Sequence, residues 1–320
     1  MNEFSLIQKY LQPLSKRDKG AMLLKDDIYY DKKKGTIISV DTYSEGVHFI
    51  NSKDPNKFLK KILRASLSDL YCKGIKPKSY FLSFSLKNKL VRKSWLKKIK
   101  KILNQEQIKF NITLVGGDTI KSSSLVITIV TLGYAKNKPV LRNGCKPFDE
   151  IYVTGNIGDS YIGLNILKNK LNFGKYNSFF IKKYYEPELQ TKISPYLHKF
   201  ASSSIDISDG LAQDLNHLCF NSNCGALIDL NLIPLSRYCK KLLIKNKISV
   251  KNIFSQGDDY QILFTSNHKN SSFIFSLCKK MKVKISKIGV IKKEKKIIFK
   301  DHNSTHEINS IKMGYKHIFK

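Results

Sequence analysis

Acidic residues are scarce in this chain. Of its 320 residues, 25 are Asp or Glu against 57 Lys or Arg, a formal net charge of +32 at pH 7. Long apolar runs are missing too. The longest, residues 125–135, is broken by two Thr and a Gly and reads as a buried strand, well short of the ~18–20 residues of a membrane helix. No basic stretch followed by an apolar one opens the chain, so no signal peptide is expected. The six cysteines (72, 145, 219, 224, 239 and 278) form no CxxC pair. That spacing argues against a zinc site and predicts reduced thiols in a cytoplasmic protein. With 17 Gly and 8 Pro against 42% hydrophobic residues, the chain is not low-complexity or disordered. Walker A, GxGxxG, kinase HRD and DFG, EF-hand and GxSxG patterns are all absent.

The positive charge would suit any polyanion. Its lysines are scattered rather than striped, amid abundant Ile and Asn, as drift toward AT-rich codons produces. The expectation is no specific nucleic-acid partner and no membrane association.

Helix and strand signals alternate, so the fold class is mixed α/β, of the α+β kind. Strands are expected over 36–40, 79–86, 112–115, 125–132, 150–154, 203–207, 226–230 and 260–265, and near 283–290 and 296–300. Helices are expected over 55–71 and 95–103, from Asp159, near 190–200, from Gly210 and around 268–281. A turn-rich stretch, Lys136-Asn-Lys-Pro and Asn143-Gly-Cys-Lys-Pro, divides the chain near residue 140 into segments 1–140 and 141–320.

In so basic a chain, the placement of the acids is the informative feature. Aspartates recur where strands end or helices begin: Asp26-Asp27, Asp41, Asp69, Asp118, Asp206, Asp209 and Asp258-Asp259. Each alone is explained as a helix cap or a turn former. Together, at the ends of different elements, they fit a converging carboxylate cage. Short carboxylates suit Mg²⁺, a hard cation that accompanies nucleotide phosphates. Gly116 and Gly117 would let backbone N–H groups approach a phosphate, and Arg142 offers a planar fork for one. His217, His268, His302 and His306 belong to no constellation of this kind.

Taken in order, these motifs resemble the thiamine-monophosphate kinase family. That family lies in the ATP-binding superfamily of aminoimidazole-ribonucleotide synthetase and selenophosphate synthetase. The resemblance runs from Glu3-Phe4-Ser5-Leu6-Ile7 through Leu24-Lys25-Asp26-Asp27, Ser39-Val40-Asp41-Thr42, Gly46-Val47-His48-Phe49 and Leu67-Ser68-Asp69-Leu70. It continues through Val115-Gly116-Gly117-Asp118-Thr119, Tyr152-Val153-Thr154-Gly155, Ile205-Asp206-Ile207-Ser208-Asp209-Gly210-Leu211, Gly257-Asp258-Asp259-Tyr260 and Gly314-Tyr315. It departs at Gln256 and Gln261, where the family carries Gly and an acid, at Ile28-Tyr29-Tyr30, where the family carries small residues, and in a short loop before Gly35.

The resemblance implies a two-domain synthetase-like fold and a homodimer. The N-terminal domains share an intersubunit β-barrel, and the C-terminal α/β domain closes a cleft over ATP. It implies several Mg²⁺ ions held by Asp27, Ser39, Val40 through its carbonyl, Asp41, Asp69, Asp118, Asp206 and Asp209. ATP contacts fall on Gly117, Asp118, Arg142 and Ser208, and thiamine monophosphate contacts on His48, Asp258 and Tyr315. The implied reaction is in-line phosphoryl transfer from ATP to thiamine monophosphate, with no general base. Sister synthetases fit less well: the selenophosphate enzyme needs a Cys or Sec near the N-terminus and the hydrogenase-maturation relative a C-terminal Cys, but no Cys precedes Cys72 and the chain ends His-Ile-Phe-Lys.

Overall fold

A computed structural model describes residues 1–245, 247–301 and 305–307. Tyr315, Gly314 and His302 lie outside the described residues. The β-branched and aromatic runs form two sheets.

The first sheet holds β1 (Tyr29–Asp31), β2 (Thr36–Ser44), β3 (Pro77–Leu86), β4 (Thr113–Lys121) and β5 (Val126–Tyr134), in the order β1-β2-β5-β3-β4. Neighbouring strands run antiparallel except β3 and β4, which are parallel and joined by a helical crossover. The second sheet holds β6 (Glu150–Thr154), β7 (Ala201–Asp206), β8 (Gly225–Asp229), β9 (Ile262–Ser266), β10 (Ile285–Lys292), β11 (Ile297–Lys300) and β12 (Thr305–Glu307), in the order β12-β11-β8-β10-β6-β9-β7.

The helices are α1 (Glu3–Leu6), α2 (Leu59–Cys72), α3 (Lys93–Phe110), α4 (Asp159–Leu167), α5 (Asn177–Tyr185), α6 (Leu211–Ser222), α7 (Arg237–Ile244), α8 (Val250–Ser255) and α9 (Ser271–Met281). None of the described helices is long and apolar enough to cross a membrane. All six cysteines are free and buried.

Helix α2 positions everything that follows. Most surface helices bury one stripe, whereas α2 is buried nearly all round. It packs on β2, β5 and α3 on one side and on β7 and α5 on the other. Its polar residues therefore need partners inside the protein. Arg64 makes a two-pronged pair with Glu106 of α3 (Nε–Oε2 2.7 Å, Nη2–Oε1 2.9 Å). Lys73, just past the helix, reaches Asp26 and Asp27 at 3.0 Å and the Ser204 carbonyl at 2.8 Å.

Among the described residues, helices cover the first sheet on one face only, α2 packing on β2, β3 and β5. On the other, and along β4, large side chains face outward: Val40, Phe81, Leu114, Val115 and Ile120 are all exposed. Every residue of β4 is exposed, and among the described residues β4 pairs on one side only, with β3.

Several expected elements differ. The strand at 112–115 extends to Lys121, so Gly116-Gly117-Asp118-Thr119 lies inside an edge strand and not in a loop. Residues near 190–200 form only a 3-10 turn, Ser194–Lys199, whose Pro195 lacks the N–H that helical bonding uses. Helices α5, α7 and α8 and strand β1 carry too few periods to stand out in the sequence.

Candidate active site

A cavity of about 960 Å³ opens where α2 faces the second sheet. Asp41 comes to it from β2, Asp69 from α2, and Asp206 from the end of β7. Asp26 and Asp27 come from the turn before β1, and Ser208, Asp209 and Asp258 from loops beside β7 and β9. Asp206 and the loop acids project from a strand end and from turns, whereas Asp41 lies within β2, which runs on past residue 40 to Ser44, and Asp69 lies in the last turn of α2.

The 257–260 stretch crosses 207–209 with two backbone bonds, Asp258 N–H to Ser208 O and Tyr260 N–H to Ile207 O, both 2.8 Å. A Cβ on Gly257 would fall 1.8 Å from the Ser208 carbonyl oxygen, so this crossing admits only glycine there.

The carboxylates crowd one another. Ser39 is buried and donates to Asp69, and Ser68 donates to Asp206. Burial and the neighbouring Asp27 charge push Asp41 up to about 6, against donation from Ser66 and Tyr43. Burial, with the Asp27 charge, pushes Asp206 up to about 7. Burial, with Glu3 and Asp258 nearby, does the same for Asp209. Asp69 is driven well above the usual range by burial and by Asp41 and Asp206. Asp27 is the exception: burial would raise it, but Arg142 and Lys73 outweigh burial and hold it well below the usual range.

Such a set cannot ionise together unless positive charge is added, and its ligand atoms are hard oxygens. The donor chemistry fits a hard divalent cation. Asp27 and Asp206, with Cys72, place one ligand atom each within 4.8 Å of one another. Asp209, Asp214 and His217 do the same.

The structure thus brings Asp27, Val40, Asp41, Asp69, Arg142, Asp206, Ser208, Asp209, His48 and Asp258 to one cavity, with Ser39 directly behind Asp69. Gly117 and Asp118 do not line it in the same chain. They lie on β4, with β3 and β5 between that strand and β2. Arg142 lines the cavity, but its fork grips Asp27 (Nε–Oδ2 3.0 Å) and its backbone N–H donates to Asp26 at 2.7 Å.

Four participants escaped the sequence reading. Lys61 and Lys73 are two lysines among dozens, and Asp214 lies inside a helix, away from the junction motifs. His217 was set aside, yet it lines the cavity and stands beside Asp209 and Asp214. The i, i+3 spacing of Asp214 and His217 on α6 was the available signal. The structure accommodates both Gln256 and Gln261. Gln256 has an extended backbone (φ −119°, ψ 148°) that asks for no glycine. The buried Gln261 amide accepts from Thr154 Oγ1 at 3.1 Å and Gln190 Nε2 at 2.8 Å and donates to Glu188 O at 3.0 Å. That donation is one a carboxylate could not make.

Residues 17–135 match the family described as AIR synthase related protein, N-terminal domain. The thiamine-monophosphate kinase of Buchnera aphidicola subsp. Schizaphis graminum is 36% identical over 96% of this chain and 99% of its own. That of Escherichia coli K12 is 34% identical over 82% of each chain. The solved structure of AaThiL complexed with AMPPCP and TMP superposes with a TM-score of 0.82, at 25% identity, covering 99% of this chain and 97% of that one. Over nearly its full length, this chain belongs to the thiamine-monophosphate kinase family.

Proposed function

We propose that this protein transfers the γ-phosphoryl group of ATP to the phosphate of thiamine monophosphate, giving thiamine diphosphate and ADP. The observation that carries the reading is the meeting of Asp27, Asp41, Asp69, Asp206 and Asp209 in one cavity. The AaThiL structure, holding AMPPCP and TMP on the same fold, supports the choice of substrates.

Asp27, Ser39, the Val40 carbonyl, Asp41, Asp69, Asp206 and Asp209 would hold Mg²⁺, which supplies charge to neutralise the phosphates. An acceptor phosphate oxygen attacks the γ-phosphorus in line as the bond to the β–γ bridging oxygen breaks. That oxygen is already anionic near neutral pH, so no residue need remove a proton. The chain contributes alignment and a partly dry, charged enclosure. Ser208 and Arg142 contact the nucleotide, and His48, Asp258 and Tyr315 the acceptor, with Tyr315 offering a ring face to the cationic thiazolium.

Segments 1–140 and 141–320 act as two domains closing on ATP. The protein works as a homodimer whose first sheets close a barrel, bringing Gly117 and Asp118 of a second copy to the cavity. The exposed apolar face and the bare edge of β4 support that arrangement.

The test is ADP release with thiamine monophosphate, with thiamine, and with no acceptor. Magnesium-dependent release with the monophosphate alone is expected. Equal turnover of thiamine, or none with either, would overturn the reading.

A further inference from the structure

Lys61 projects from α2 to the cavity wall, yet it is only 3% exposed. Its ammonium group pairs with Asp258 Oδ1 at 2.8 Å, donates to the His48 carbonyl at 2.9 Å, and lies 4.0 Å from the centre of the Tyr184 ring. Tyr184 donates to the same carbonyl at 3.2 Å, and Tyr260 donates to Asp258 Oδ1 at 3.1 Å. Carboxylate, carbonyl and ring face together make a cage for a cation, and the protein's own lysine fills it.

The acceptor proposed above carries a cationic ring and an anionic phosphate. Those are the same two charges as the Lys61–Asp258 pair. We propose that this ion pair is a placeholder that the acceptor splits. The ring cation takes the Asp258–Tyr184 cage, and the displaced Lys61 ammonium binds the acceptor's phosphate. Its flexible four-carbon stem allows the swing, and the exchange leaves no buried charge unpaired. Lys61 is then a substrate-binding residue that favours phosphorylated acceptors. This rests on thiamine monophosphate being the acceptor.

The experiment measures thiamine monophosphate binding and turnover, thiamine inhibition and the KM for ATP in the wild type, Lys61→Met, Lys61→Arg and Asp258→Asn, with thermal melts as a check on folding. In Lys61→Met, the monophosphate KM is expected to rise about tenfold or more. The ATP KM is expected to stay within about twofold, and thiamine to inhibit as well as or better than before, since its cage has been vacated. Lys61→Arg is expected to recover part of the loss, and Asp258→Asn to weaken both ligands.

If Lys61 merely braces Asp258, Lys61→Met weakens thiamine and its monophosphate together, and the placeholder idea falls. An unchanged monophosphate KM overturns it equally. A wild-type protein that neither binds nor turns over thiamine monophosphate refutes the parent reading instead, and the inference with it.

Discussion

At the scale of single residues, the acids behave as a set because they are close and largely shielded from water: Asp206 is buried, and Asp27, Asp41, Asp69 and Asp209 are half-buried. Asp69 touches Ser39 and carries the charge of Asp41 and Asp206 beside it. Replacing one carboxylate would remove a proposed cation ligand without emptying the core. Asp41→Asn and Asp69→Asn are each expected to lower kcat about 100-fold or more while leaving the circular dichroism spectrum unchanged. Near-normal turnover of either at limiting magnesium would dissolve the shared cage.

The raised groups also fix a pH dependence. Asp41 at about 6 and Asp206 and Asp209 at about 7 keep protons that the unfolded chain has lost near pH 4. Over that window the folded state binds more protons, so metal-free stability falls as pH rises. Asp27, held low, works the other way: its contribution is present above about pH 4 and is lost on acidification. In chelator, the melting temperature is expected to drop between about pH 5 and pH 7.5. Added magnesium is expected to raise it most at the upper end, where protons no longer compete. A melting temperature that climbs over this range, with no response to magnesium, would contradict the assignment.

At the scale of elements, α2 joins the first sheet to the cavity and is buried nearly all round. Its apolar spacing, Leu59, Ile62, Leu63, Leu67 and Leu70, made the helix readable in the sequence. That spacing does not say that the polar face is buried as well. Arg64 and Glu106 are desolvated together, with side chains 5% and 3% exposed. Arg64→Ala leaves Glu106 buried and unpaired, and a loss of about 3–5 kcal/mol in chemical denaturation is expected. Arg64→Met with Glu106→Leu is expected to restore most of it, because both charges leave at once. Equal loss in the single and double variants would show that packing, not charge, is at stake.

At the scale of the molecule, the first sheet shows an apolar face and a bare edge that a lone chain leaves in water. Sedimentation at micromolar concentration is expected to give a dimer. Val115→Glu, at an exposed position on β4, is expected to dissociate it and abolish activity without unfolding the chain. A fully active monomer would contradict the barrel. The net charge of +32 has a separate test. Scattered lysines neutralise few phosphates at once, so DNA or RNA binding is expected to be weak and gone by moderate salt. Tight, sequence-dependent binding at physiological salt would overturn that.

The sequence alone determined the alternation of elements and the identity of most of the acids. Periodicity and turn chemistry are local, and Asp beside Gly, Ser or Thr at a junction leaves a mark on a few adjacent residues. Position in space is not local. That Arg142 grips Asp27 across 115 positions was decided only when β1 and the linker packed together. Only the strand order set Asp118, with Gly117 beside it, apart from the other acids. Lys61 acquired its meaning in the same way: nothing about a lysine beside another lysine foretells a carboxylate 197 residues on and a tyrosine ring above it (61 to 258). Burial gave these charges their partners and their shifted affinities for protons, and burial belongs to the packed chain.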